Sequence, residues 1–247
     1  MQHPTLPIRT LVRVLQLCGA VPLLILAMNS GAHAARPMVT DDARIVDPGA
    51  CQIETWRRGN RGSYEFWALP ACNFTGNLEV TLGGTDQPEA GGGHAADFVL
   101  QGKGLFKPLE TNSYSYGLVV GGMMHSDRST QQERVGSIYG YVPISKSFQN
   151  DRLIAHVNLG ALQNRDADTK AFTWGAGGEL NFTPRVALIA ETYGNNHSRP
   201  FVQGGLRIWI VPNRFQIDTT LGAQSGDFGP TRWWTVGVRL ISPPFLR

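Results

Sequence analysis

Charge is scarce in this sequence: Asp, Glu, Lys and Arg make up 17% of its 247 residues, against about 25% in an average soluble domain. No cluster of Lys and Arg appears, which excludes a nucleic-acid binder. Cysteine is nearly absent, at three residues. After residue 34 no apolar run approaches the ~20 residues that a spanning helix needs. No stretch of helical period competes with strict alternation either, so helical membrane proteins and helical bundles are both excluded. In surplus is glycine, 29 of 247, roughly 12% where about 7% is usual. With 42% hydrophobic residues, the chain is not a disordered one.

The first 34 residues carry Arg9 and Arg13 and no acid, then an apolar run from Leu15 through Met28, then Ala32-His33-Ala34. Positive flank, short apolar region and small-x-small end are the three parts of a secretory signal peptide, with cleavage expected after Ala34. The run is too short for a transmembrane anchor and contains Pro22. Cys18 lies inside it, after Leu-Gln-Leu, which does not suit a lipid-modified cysteine. The remainder carries 20 basic and 19 acidic groups, so no net field points to an acidic or basic partner. An exported chain of this kind is periplasmic, secreted or a β-barrel.

Export leaves Cys51 and Cys72, an even count that suggests a disulfide. If residues 50–72 form one hairpin centred on Arg61-Gly62, paired positions sum to 123. Cys51 then faces Cys72, Trp56 faces Trp67 and Arg58 faces Glu65. A cysteine pair, an aromatic pair and an opposite-charge pair in one register support the hairpin together, and Gly59-Asn60-Arg61-Gly62 supplies turn chemistry.

Alternation continues to the end of the chain. Tyr114, Tyr116, Leu118 and Val120 oppose Ser115, Gly117 and Gly121. Leu153, Ala155, Val157 and Leu159 oppose Ile154, His156, Asn158 and Gly160, and the same rhythm runs through 171–183, 214–224 and 232–241. Twelve strands are predicted, at about 50–58, 63–69, 76–84, 96–106, 112–124, 134–147, 151–162, 171–183, 185–194, 200–211, 214–224 and 232–241. Gln149-Asn150, Thr183-Pro184-Arg185 and Pro212-Asn213 read as tight turns. His125–Arg134, Gln163–Lys170, Gly194–Arg199 and Ser225–Thr231 read as longer loops. Short turns at one end and longer loops at the other describe an all-β, transmembrane, antiparallel up-and-down barrel with short periplasmic turns. That topology puts Cys51 and Cys72, the latter in the turn after strand two, together on the periplasmic side. A soluble sandwich or lipocalin-like barrel would also alternate, with its apolar face inward. Two features oppose it: the other face is rich in Gly, Ser and Thr, and Tyr114, Tyr116, Phe172, Trp174, Phe182, Phe215 and Trp234 recur near strand ends on the apolar face, as interface girdles do.

The mature start reads Ala35-Arg36-Pro37-Met38-Val39-Thr40-Asp41-Asp42, then Val46-Asp47-Pro48-Gly49 and Gln52-Ile53-Glu54-Thr55-Trp56. It resembles the opening of a Gram-negative outer-membrane family labelled transporters of the MetA pathway of phenol degradation, with its Arg-Pro-Leu-x-Thr-Asp-Asp start and Gln-x-Glu first strand. Met38 replaces the usual Leu, and the motif covers about residues 35–56. The resemblance implies an outer-membrane barrel passing small molecules, aromatic ones included, and it brings no catalytic residues. Many such barrels end on an aromatic residue read by the insertion machinery. Here Ser242-Pro243-Pro244-Phe245-Leu246-Arg247 follows the last strand, and the Pro pair cannot continue it, which leaves Phe245 as the candidate signal.

Assigning the polar face to the lumen places Lys103, His156, Glu179, Glu191, Arg207, Asp218 and Arg239 inside. They are either a solute-lining selectivity filter or opposite charges that pair across the lumen and close it. Residues 35–49 are either a periplasmic segment or a lumen plug, followed by the barrel over 50–242 and a tail over 243–247. His125-Ser126 and His197-Ser198 fall in predicted loops, where barrel enzymes acting on lipid keep their sites. Neighbours on a strand point to opposite faces, so neither dipeptide is a dyad; His197, Glu191 and Ser126 would have to assemble in space. His94, His125 and His197 show no metal-ligand spacing, and Gly91-Gly92-Gly93 reads as a hinge rather than a phosphate loop. No catalytic residue, cofactor or metal is therefore expected. The expected partners are outer-membrane lipid, a small solute and the barrel-insertion machinery. A barrel enzyme and a closed surface-interaction barrel are the rival functions.

Overall fold

The computed structural model describes residues 38–88, 94–125 and 134–246. The signal segment, residues 35–37, Gly91–Gly93 and Ser126 lie outside the described residues. Twelve strands run in chain order: β1 (Cys51–Asn60), β2 (Ser63–Asn73), β3 (Leu78–Pro88), β4 (His94–Lys107), β5 (Tyr114–His125), β6 (Val135–Phe148), β7 (Leu153–Asn164), β8 (Thr169–Thr183), β9 (Val186–Asn195), β10 (Phe201–Val211), β11 (Phe215–Gln224) and β12 (Trp233–Ile241). Each pairs antiparallel with its sequence neighbours, and β1 pairs with β12, closing the barrel. Closure leaves no unpaired edge, the condition for a sheet to stand in hydrocarbon.

The β1–β2 register is the one the sequence predicts: Cys51↔Cys72, Trp56↔Trp67 and Arg58↔Glu65. Cys51 and Cys72 form a disulfide, and the two indoles stack at 5.4 Å between centroids, 4° from parallel. Two expectations need correction. Cys72 lies inside β2, not in the turn after it, because β2 continues past Pro70 to Asn73. The proline is accommodated at a gap in the β2–β3 ladder, which stops at Ala68↔Gly84 and resumes at Ala71↔Thr81, so its missing N–H costs little. The β7–β8 connection is only residues 165–168; β7 and β8 extend toward each other, with Asn164 paired to Thr169, into what reads as loop.

The face of the barrel turned outward is apolar. Leu82, Leu100, Val120, Leu159 and Leu221 are all about half or more exposed (59%, 51%, 54%, 47% and 72%). Tyr114, Phe172, Phe182 and Trp234 stand on the same face at 48%, 52%, 59% and 43%. Buried positions are instead mostly polar. A water-soluble barrel has the reverse arrangement, so this is a transmembrane barrel. No helix among the described residues is long and apolar enough to cross a membrane.

Two flanking segments join at one end. The Gly49 carbonyl accepts from the N–H groups of Phe245 and Leu246 at 2.8 and 3.0 Å, and Ser242 N–H donates to Cys51 C=O at 2.8 Å. The tail after β12 thus folds across the point where the N-terminal segment meets β1, at the end of the barrel that carries the disulfide. That end also carries the short connections 184–185 and 212–214; the connection 225–232, the last residue of β5 and the first of β6 lie at the opposite, long-loop end.

A closed lumen and an aromatic cup

The lumen is occupied by the protein's own N-terminal segment. Ala43, Val46 and Ala50 are fully or almost fully buried, and Thr40, Asp41, Asp42 and Arg44 are at most 9% exposed. The segment has no secondary structure of its own, so its backbone N–H groups need partners from the wall. They find them on four strands, and a fifth bonds a segment carbonyl. Glu191 on β9 accepts from Val39 N–H at 2.7 Å and Thr40 N–H at 2.5 Å. The hydroxyl of Ser145 on β6 accepts from Ala43 N–H at 2.8 Å, and Glu79 on β3 from Val46 N–H at 3.1 Å. Asn158 on β7, its amide oriented by its partners, accepts from Asp41 N–H at 2.6 Å and donates to Asp41 C=O at 2.8 Å. Asn73 on β2 donates to Val46 C=O at 2.7 Å.

Side chains of the segment complete an ion-pair network. Lys103 on β4 reaches Asp41 at 3.0 Å and Asp42 at 3.3 Å, and Tyr141 donates to Asp41 at 2.8 Å. Arg44 pairs with Asp42 at 2.7 Å and with Glu179 on β8. Glu179 also receives Arg207 at 3.0 Å and His156 at 3.1 Å. Arg207 continues to Asp218 through Nε and Nη2, both at 3.1 Å, and Arg239 reaches Gln52 at 2.7 Å and Glu54 at 3.5 Å. Burial by itself would push the Asp42 carboxyl up, but the charges of Arg44, Lys103, His156 and Arg239 outweigh it and hold the group well below the usual carboxylate range.

All seven predicted lumen residues therefore lie on the inner face, each at most 6% exposed. Four of them, Lys103, His156, Glu179 and Arg207, belong to the network around Arg44 and the two aspartates. Glu191 holds the backbone at residues 39–40, Asp218 holds Arg207, and Arg239 stands by β1. Absent from the sequence-based set are Glu54 and Glu79 on the wall and Asp41, Asp42 and Arg44 in the segment. Glycines make the room: a Cβ at Gly175 would stand 2.6 Å from Thr40 Oγ1, and one at Gly177 would stand 3.0 Å from Met38 Cε.

One chain of bonds has the connectivity of a hydrolase triad. Ser145 Oγ lies 2.8 Å from His156 Nδ1, whose Nε2 lies 3.1 Å from Glu179. A nucleophile needs access and a base able to take its proton. Ser145 is 0% and His156 1% exposed, the hydroxyl oxygen already accepts from Ala43 N–H, and Glu179 is shared with two arginines. The chain docks residues 43 and 44 from both sides. His125, expected in a loop, is the last residue of β5 and sits between Asp97 on β4 at 2.6 Å and Asp166 at 2.9 Å. His197 is 2.9 Å from the Lys170 carbonyl, and Ser198 donates to Asn195 at 3.2 Å. Glu191 is held by the segment, so it does not join His197. No group of three or more His, Cys, Asp or Glu among the described residues is arranged to hold a metal.

Over the N-terminal segment, at the long-loop end, two cavities open. One, of about 210 Å³, is lined by Trp56, Arg58, Trp67, Tyr193 and Trp233. The other, of about 300 Å³, is lined by Tyr139, Tyr141, Tyr193 and Phe201. Val39, 52% exposed, borders both. Of these inward aromatics the sequence-based reading uses only Trp56 and Trp67, as a cross-strand pair, and it places its aromatic girdles outside.

Closed twelve-stranded sheet, apolar exterior and polar, internally paired lumen define the class, a transmembrane β-barrel with an internal N-terminal segment. The chain belongs to the family described as Uncharacterised conserved protein UCP029691, whose sequence model matches residues 22–241. No curated protein matches the sequence. Solved structures share the fold. A KdgM porin in complex with disordered oligogalacturonate superposes with a TM-score of 0.58 at 10% identity, over 76% of this chain and 98% of that one. The NanC porin superposes with a TM-score of 0.52 at 10% identity, over 77% and 98%.

Proposed function

We propose that this protein is an outer-membrane barrel of a Gram-negative cell that passes a small solute without a cofactor, and that residues 38–47 are its gate. The observation that carries the gate is the docking of that segment in the lumen through buried ion pairs and side-chain-to-backbone hydrogen bonds that together reach seven strands. Outer-membrane placement draws on the apolar exterior, on the export signal ending at Ala34 and on a fold shared with porins; lipid and the insertion machinery are the partners such a barrel requires. A solute of aromatic or hydrophobic character draws on the likeness of residues 35–56 to the phenol-degradation family and on the aromatic lining above the segment. Passage requires the segment to leave, because the ion pairs otherwise fill the lumen's centre.

Deleting residues 35–48 tests the reading in planar bilayers. The full chain should conduct rarely, and the deletion variant should show a larger and more frequent conductance. Boiled and unboiled gel lanes verify that both fold, since a closed barrel resists detergent until heated. Equal conductance from two folded proteins would overturn the gate. It would favour a closed barrel whose loops bind a partner, the reading that the extent of internal charge pairing otherwise supports.

A further inference from the structure

The cup above the segment has its polar lining almost wholly committed to the protein itself. Gln203 accepts from Thr220 at 3.0 Å and from the Trp233 indole at 3.2 Å. Glu65 accepts from the Trp67 indole at 3.1 Å and the Asn60 amide at 3.3 Å. Thr235 shares a hydrogen bond with Thr220 at 2.6 Å. Tyr139 donates to Gln101 at 3.0 Å, and Tyr141 and Asn158 are taken by Asp41. A polyhydroxylated ligand would find few free partners here.

In the smaller cavity Arg58 and the Tyr193 hydroxyl are the exceptions; in the larger one it is the buried Thr40 Oγ1. The Arg58 guanidinium lies over the Trp233 ring at 4.3 Å from the centroid, and its buried Nε has no hydrogen-bond partner. No carboxylate among the described residues lies within ion-pair distance, because Glu65, its cross-strand partner, is turned to Trp67 and Asn60. The Tyr193 hydroxyl in the same cavity is likewise without a hydrogen bond among the described residues. An aromatic-lined cavity therefore holds one uncommitted cation and one uncommitted hydroxyl. A guanidinium fixed against an aromatic face recognises a planar anion, carboxylate foremost, and aromatic walls favour a flat apolar body. At about 210 Å³ the cavity has room for roughly seven waters, the size of a one-ring molecule.

We infer that the cup is a binding site for a small aromatic carboxylate, its ring against Trp56, Trp67, Tyr193 and Trp233 and its carboxylate on Arg58 and Tyr193. The inference deepens the solute reading above, and it is tested by binding rather than conductance so that the two fail separately. The probe is benzoate, titrated calorimetrically into the folded full-length barrel in detergent, with phenol and acetate as partners lacking one half of the ligand. Benzoate should bind saturably at one site, at least tenfold more tightly than either. Arg58→Gln should weaken benzoate at least tenfold and leave phenol unchanged, and Arg58→Lys should recover part of the loss. Benzoate no tighter than phenol, or an Arg58→Gln variant that keeps the gel shift and binds benzoate normally, would overturn the site. If benzoate fails to bind while deletion of residues 35–48 opens the pore, the gate stands and the ligand assignment falls.

Discussion

Arg44 is the side chain on which docking of the N-terminal segment most depends, and Arg44→Ala gives the sharpest test of that docking. The guanidinium is 4% exposed and pairs with Asp42 and with Glu179. Removing one partner of a buried ion pair costs about 3–5 kcal/mol. Here the abandoned groups are not orphaned: Glu179 keeps Arg207 at 3.0 Å and His156 at 3.1 Å, and Asp42 keeps Lys103 at 3.3 Å. The lower end of the range therefore applies, about 3 kcal/mol, which at tenfold per 1.4 kcal/mol shifts the docked-to-undocked ratio by roughly 150-fold. The undocked segment loses nothing, since Arg44 is then solvated. The assay is the open fraction in planar bilayers, with maleimide labelling of a Thr40→Cys reporter as a second readout. Both should rise together in Arg44→Ala, and Arg44→Lys, which keeps charge but not the planar fork, should fall between. An Arg44→Ala barrel that keeps its heat-dependent gel shift while conductance and labelling stay at the parental level would refute the reasoning. The ion pairs would then be a consequence of docking and not its cause.

Three further perturbations address other links in the argument. Gly175→Val puts a side chain where Thr40 Oγ1 would lie 2.6 Å from its Cβ; labelling at a Thr40→Cys reporter should increase with the barrel intact. Gly102→Ala, whose Cβ meets only Leu78 Cδ1 at 3.9 Å, should change nothing, and equal labelling in both would show that the notch is not what seats the segment. Val120→Arg, at the middle of β5 on the outer face and 54% exposed, should cost about 2–4 kcal/mol in lipid bilayers, read as a lower urea midpoint for the gel shift. A water-facing surface would tolerate the same change within about 0.5 kcal/mol, so an unchanged midpoint would overturn the lipid-facing assignment. Replacing Cys51 and Cys72 by Ser removes a crosslink over 21 residues, worth about 3 kcal/mol in the chain-entropy account. The midpoint should fall in the variant, and added reductant should lower it in the parent alone; a parent indifferent to reductant would show the bridge to be dispensable.

The barrel was legible because alternation is a local signal repeated many times. Lys103, His156, Glu179, Glu191, Arg207, Asp218 and Arg239 could be placed inside from parity alone, and the hairpin register came from three residue pairs summing to the same number. The same parity, carried a few residues further along each strand, would have found the cup. Tyr193 is two residues from Glu191, Phe201 six from Arg207, and Trp233 six from Arg239, so each must point inward. Alternation over 232–241 already sets Trp233 opposite the outward Trp234, while Tyr193 and Phe201, near strand ends, suit an outer girdle equally well by residue type. The N-terminal segment was not legible in that way. It has no period, its bonds to the wall are made by backbone groups whose partners lie 27 to 152 positions away, and nothing local distinguishes Asp41-Asp42-x-Arg44 from a solvated tail.

The lumen's charge composition explains why such a segment is held by pairing and not by apolar contact. Without residues 38–47, the buried wall positions present five carboxylates, Glu54, Glu79, Glu179, Glu191 and Asp218, against three cations, Lys103, Arg207 and Arg239. Left in a dry lumen they would be costly; left in a wet one they would form a polar, net-negative path. The segment meets this wall with backbone N–H groups on Glu191 and Glu79 and with Arg44 on Glu179, while Asp41 and Asp42 answer Lys103. Each contact exchanges hydration for a hydrogen bond of similar strength, so docking is specific in register yet modest in net free energy. An apolar plug of the same size would be expelled only with difficulty, since leaving would expose its surface to water. A polar, hydrogen-bonded segment can leave into water and return, and that reversibility is the property a gate needs.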